Sequence, residues 1–145
     1  NLALCTDLQT IDRAVTDCSD QSIDFYVNPD SRQTSSTELS AVEIFDSGRR
    51  VQQKTVKSIS LDDYAGQHGI DRVDVIKLDI QGGEFAALRG AQGILQHTDT
   101  VFAEISFLDQ HIFDTLDLLR SYYHSFEVVN EVSMGADLRW YSPLK

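Results

Sequence analysis

The stretch VDVIKLDIQGGEFAALRGAQG, residues 73–93, constrains the fold more than any other part of the chain. From Val73 to Ile80 an apolar run is interrupted only by Asp74, Lys77 and Asp79, the pattern of a buried strand. Gln81-Gly82-Gly83 breaks the run. Phe85, Leu88, Ala91 and Leu95 then recur at helical spacing and predict one helix over 84–95. Strand, glycine turn and helix in succession form the unit of parallel α/β sheets, whose ligands sit just outside the carboxyl ends of the strands. Asp79 stands at that end of this strand and is the first candidate functional residue.

The same periodicities organise the rest of the chain. Strands are predicted at 10–16, 22–27 and 51–59, and the last two pair as an antiparallel hairpin around the polar loop 28–40. A short helix opens at Ser60, a good N-cap, with Asp62 and Asp63 in its dipole-favoured first turn, and Gly69 ends it. A second buried strand at 100–107 should lie beside and parallel to 73–80, with helix 84–95 crossing between them. A helix at 112–123 follows, then closing strands at 126–132 and 137–142, antiparallel around Met134-Gly135.

Composition narrows the function classes. The 145 residues suit one domain, and the net charge of −11 argues against nucleic acid and anionic membrane as partners. The one basic cluster, Arg49, Arg50, Lys54 and Lys57, reads as a solvated strand face. Cys5 and Cys18 lack a CxxC spacing and read as free thiols of a reducing compartment, so a cytoplasmic location is expected. No apolar run is long enough for a membrane span, and no signal peptide is visible. The chain begins at Asn1 without a methionine, so a preceding segment is expected.

The run SISLDDYAGQHGIDRVDVIKLDIQGGEFAALRGAQGIL resembles the central signature of FkbM-type methyltransferases. Leu61, Asp62, Asp63, Asp74, Lys77, Asp79, Gly82, Glu84, Leu88, Gly90 and Ala91 fall on its pattern. The segments AVTD at 14–17, FYVN at 25–28 and FAEIS at 102–106 extend the resemblance over about residues 10–107. It implies an α/β fold of the Rossmann-like class I methyltransferase type. The sheet should be mostly parallel, with an antiparallel C-terminal strand pair and an added hairpin. It also implies S-adenosylmethionine as cofactor. The glycine-rich loop and the ribose-binding acidic residue of that class have no counterpart here. The resemblance therefore implies that residues 1–145 are the C-terminal two-thirds of one such domain, with its N-terminal part missing. On that reading the fragment alone would be inactive, and its exposed sheet edge would favour a homo-oligomer.

Each candidate side chain has a structural alternative. Asp79 is a candidate for catalysis and for cofactor contact; alternatively it accepts hydrogen bonds from the Gly82-Gly83 amides. Glu84 is a candidate for orienting the acceptor or Asp79, yet the dipole of its helix also explains it. Glu104, near the carboxyl end of its strand, is a candidate for lining the same cleft. Lys77 is expected to pair with Glu104. Asp17 matches a region near adenine in this class, and turn formation is its alternative. Ser35, Ser36 and Thr37 suit a loop over the cleft, or simply a loop. His111 and His124 lack partners at metal-ligand spacing, and no metal site is expected.

Two principal readings follow. In the first, the chain is an S-adenosylmethionine-dependent O-methyltransferase acting on a hydroxyl of a sugar, lipid-linked or polyketide-type metabolite. Direct methyl transfer asks the site for positioning and removal of one proton, and for no nucleophile. In the second, it is a non-catalytic methyltransferase-like interaction domain. A sugar-nucleotide-binding α/β domain is disfavoured by the lack of a basic pyrophosphate cradle.

Overall fold

The computed structural model describes residues 8–27, 29, 51–106, 109–132 and 135–142. It is a mixed α/β structure with two sheets. The first has the strand order β1-β3-β2, from β1 (Ala14–Val15), β2 (Ser22–Val27) and β3 (Gln52–Ile59). The second has the order β4-β5-β7-β6, from β4 (Val73–Leu78), β5 (Thr98–Ser106), β6 (Ser125–Val132) and β7 (Gly135–Tyr141). Among the described residues there are four helices, α1 (Leu61–His68) between the two sheets and α2 (Glu84–Arg89), α3 (Gln92–Leu95) and α4 (Ile112–Tyr122) between strands of the second.

Strands β2 and β3 pair antiparallel from Ser22 opposite Lys57 to Val27 opposite Gln52, as their alternation predicts. Strands β4 and β5 pair in parallel, with Lys77 opposite Phe102 and Leu78 opposite Ala103. Strand β7 runs antiparallel to both β5 and β6 and places Asp137 opposite Glu104. Among the described pairs β1–β3 and β4–β5 are parallel, and the antiparallel pairs include the expected hairpin β2–β3 and the expected C-terminal pair β6–β7. The expected strand 10–16 shortens to Ala14–Val15, because Leu8 and Ile11 stay exposed and gain no burial to hold a longer pairing. Cys18 is a free thiol, and Lys54 and Lys57 are exposed on β3, as read from the sequence. Cys5, Arg49, Arg50 and the 28–40 loop apart from Pro29 lie outside the described residues.

One face of the second sheet is covered. Leu78, Val101, Ala103, Ile105, Leu138 and Trp140 meet Ala65, Leu88, Ala91, Leu95 and Leu119 of the helices in one buried cluster. Burying an aliphatic side chain of this size stabilises by about 1.5–3 kcal/mol, so this cluster is the main hold on the helices. The opposite face, following the two-residue strand period, carries Val75, Lys77 and Asp79 exposed and Thr100, Phe102 and Glu104 partly buried.

The single helix expected over 84–95 is two. Gly90 and Ala91 interrupt it, and the Ala91 N–H reaches back only to Leu88. The cause is tertiary. A Cβ at Gly90 would lie 2.3 Å from the Thr16 carbonyl oxygen and 2.9 Å from Asp17 Cα, so the backbone of β1's end occupies that side. Beyond the break, the Asp62 carboxylate accepts hydrogen bonds from the amides of Gly93 (2.9 Å) and Ile94 (2.8 Å), capping α3 from α1. The Asp62 N–H donates to the Gly90 carbonyl at 2.8 Å. Ser60 caps α1 as expected, accepting from the Asp63 amide, and the Ser19 hydroxyl donates to the Asp63 carboxylate. The LDD and LRGA segments thus lock β1, α1 and α3 together.

Candidate functional site

Strand β4 ends at Leu78, and Asp79 follows where the chain leaves the sheet. The β4–β5 register brings Glu104 to the same level on the same face. The Lys77 ammonium, two residues back on that face, donates to Asp79 Oδ2 at 2.7 Å. This corrects the expectation that Lys77 pairs with Glu104: a neighbour at i+2 on one strand is within easier reach. The Gln81 carboxamide donates to both acids, to Asp79 Oδ1 at 3.4 Å and to Glu104 Oε2 at 3.4 Å. Sequence reasoning passed over Gln81. Its only signal was a non-glycine residue before the turn glycine.

The two carboxyl groups interact directly, and their environments push them apart. The hydrogen bond from Lys77 holds the Asp79 carboxyl below its usual range, and its contact with Glu104 acts in the same sense. Partial burial raises the Glu104 carboxyl above its usual range, and the neighbouring Asp79 raises it further, with smaller contributions from Asp137 and Glu84. Two like charges this close resist simultaneous ionisation, so of the two Glu104 has the greater proton affinity.

Glu84 is placed differently. It is buried, and its Oε1 accepts from the Ile80 amide at 3.0 Å while Oε2 accepts from the Gly82 amide at 2.8 Å. The Gly82 amide expected at Asp79 therefore belongs to Glu84, whose longer side chain folds back from the helix start. Burial pushes the Glu84 carboxyl up, against the pull of these amides.

Asp17 joins neither group. It follows β1 and pairs with the Arg89 guanidinium at 3.3 Å, and Arg89 also lies over the Phe85 ring. His111, which the sequence left isolated, stacks on Phe85 with ring centroids 5.0 Å apart, and its Nδ1 lies 3.3 Å from Asp114. His124 is exposed. Ser35, Ser36 and Thr37 lie outside the described residues. Among the described residues, no group of three or more His, Cys, Asp or Glu side chains is arranged to hold a metal ion. No described helix is long and apolar enough to cross a membrane.

The parallel crossover from β4 to β5 is the strand–turn–helix–strand unit expected from the motif at 73–93, and comparison with known families decides the family. The model of the methyltransferase FkbM domain matches residues 1–127. The chain belongs to the FkbM methyltransferase family. Its similarity to 2-O-methyltransferase NoeI of Sinorhizobium fredii (strain NBRC 101917 / NGR234) is 30% identity over 90 residues, 57% of this chain and 35% of that protein. The chain thus spans about a third of the length of that relative. No solved structure matches it.

Proposed function

We propose that this FkbM domain takes part in S-adenosylmethionine-dependent O-methylation, with the Asp79–Glu104 pair as its proton-handling site. The observation that carries the reading is two carboxyls brought to one level by adjacent parallel strands and spanned by one carboxamide, with their proton affinities pushed in opposite senses. Pairs of titratable groups pushed apart in this way supply acid–base assignments. Glu104, the one with the greater proton affinity, accepts the proton of the acceptor hydroxyl. Asp79, kept ionised by Lys77, holds negative charge at the same spot. The name of the similar protein, a 2-O-methyltransferase, supports oxygen as the acceptor atom.

The residues present fit the cofactor in one respect. S-adenosylmethionine is cationic at its sulfur and its amino group, and Asp79 with Glu104 supplies an anionic end to the sheet. When bound, the cofactor supplies an electrophilic methyl group. The chain's own residues do the rest. They hold the hydroxyl at the pair and take up the proton released as the oxygen gains the methyl. A hydroxyl of a sugar, lipid-linked or polyketide-type metabolite is the acceptor class. Strands β1 and β4 are edge strands of their sheets, which supports a larger Rossmann-like domain joining the two.

The test is transfer of labelled methyl from S-adenosylmethionine to a panel of such hydroxyl acceptors, using the intact protein. Product formation that falls at least about tenfold in Glu104→Gln supports the reading, tenfold being the low end of general-base contributions. Cofactor binding without any transfer across the panel favours a non-catalytic interaction domain.

A further inference from the structure

Glu84 opens the first turn of α2 with only 4% of its surface exposed, yet its helix asks little of it. The dipole would be served by a solvated carboxylate, at lower desolvation cost. Instead its oxygens accept from the backbone amides of Ile80 at 3.0 Å and Gly82 at 2.8 Å, and its own amide also acts on the carboxylate. These amides flank Gln81, which has φ 53°, and Gly82 follows at φ 98°. Two successive left-handed residues are unusual, and for a glutamine the conformation costs on the order of 1 kcal/mol and persists only where its surroundings enforce it. From that conformation the Gln81 carboxamide reaches Asp79 and Glu104, both at 3.4 Å. Contacts of that length are weak by themselves, and the backbone conformation sets where the side chain leaves the turn.

Resting on the reading of Asp79 and Glu104 as the proton-handling pair, we propose that Glu84 is a positioning residue. By gripping the Ile80 and Gly82 amides it fixes Gln81 in the left-handed conformation from which its carboxamide spans the two acids and keeps them at one spacing. Glu84 touches neither substrate nor cofactor in this role. Among the described residues, the charged groups acting on the pair are Lys77 on β4, Glu84 on α2 and Asp137 on β7, and Asp109 ahead of α4 acts on Glu84.

The test is an NMR titration of the isotope-labelled chain, following the Gln81 side-chain NH2 as pH is varied. In the wild type its shifts follow the titration of the pair. In Glu84→Gln one oxygen acceptor becomes an NH2 donor, so one amide is released, and the amplitude of the Gln81 response should fall by at least about half. Amplitude is the readout because loss of the Glu84 charge moves the midpoint of Glu104 whatever Gln81 does. A helix-start role alone would lower stability and leave that amplitude intact, and an unchanged amplitude overturns the proposal. Gln81→Asn leaves Glu84 and the turn amides in place but shortens the carboxamide. Its side-chain NH2 should no longer follow the pair, and a full response there also overturns it. Should Glu84→Gln not fold, the wild type decides. The Ile80 and Gly82 amides and the Gln81 NH2 must then shift together as Glu84 itself titrates, and a Gln81 NH2 that ignores that step refutes the grip. No arm needs cofactor or acceptor, so failure here is separate from failure of the methyl-transfer reading.

Discussion

Two clusters of family-motif residues behave in opposite ways. Around Gly90, the side chains of Ser60, Asp62 and Asp63 are occupied by capping and cross-linking hydrogen bonds, and the backbone of Thr16 and Asp17 presses against the glycine. At the carboxyl ends of β4 and β5, Asp79 and Glu104 are left against each other, partly open to solvent and differently tuned. A match to the motif does not tell these cases apart. What separates them is where the hydrogen bonds go: a carboxylate satisfied by amides is scaffold, and a carboxylate facing another carboxylate is available for chemistry.

The sharpest way to break the comparison is at Gly90. Gly90→Ala would drive a Cβ to 2.3 Å from the Thr16 carbonyl oxygen, which is backbone and cannot swing aside. Overpacking of this severity should cost about 3 kcal/mol, seen as a lower denaturant midpoint. Near wild-type stability would mean that this cluster is not the rigid scaffold described. The second test is Asp79→Asn in the intact protein. It should lower methyl transfer at least about tenfold, equivalent to about 1.4 kcal/mol, while leaving the denaturant midpoint close to the wild type. Normal turnover in this variant would place Asp79 with the scaffold. Smaller again is Asp62→Ala, which removes the cap from α3 and should cost about 1 kcal/mol of stability. Its per-molecule rate of transfer should not change under conditions where it is folded, and a lost rate would erase the distinction between the clusters.

Much of this fold was legible from residue patterns because burial imposed them. The alternation in Ser22–Val27 and the apolar run at Val73–Leu78 correspond directly to strands. The break at Gly90 was not legible, since the helical spacing of Leu88, Ala91 and Leu95 continues through it and its cause lies some seventy residues away at Thr16. The candidate site was legible in its two acids and hidden in its details. Asp79 and Glu104 could be placed from strand ends alone. The partner of Lys77, the inward fold of Glu84 and the part played by Gln81 all depend on the left-handed turn at 81–82, which no periodicity encodes.

The smallest effect expected is in the pH dependence of stability. The folded state raises the Glu104 carboxyl above its unfolded value, so its contribution is fully present at acid pH. That contribution is lost as pH rises from the ordinary glutamate range through the raised value. Glu84 acts in the same sense, and Asp79, which is lowered, contributes above the ordinary aspartate range and loses its contribution as pH falls. Glu104→Gln should therefore flatten the decline of stability between acid and neutral pH, measured by denaturant midpoints. An unchanged slope would detach Glu104 from the pair.

The central claim is that the ends of β4 and β5 form one titrating unit, and carboxyl-carbon NMR of Asp79 and Glu104 across pH tests it most directly. The predicted result is two coupled steps, Asp79 below the ordinary carboxyl range and Glu104 above it, collapsing to a single Asp79 step in Glu104→Gln. Two independent titrations within the ordinary range, unchanged at Asp79 in that variant, would contradict it.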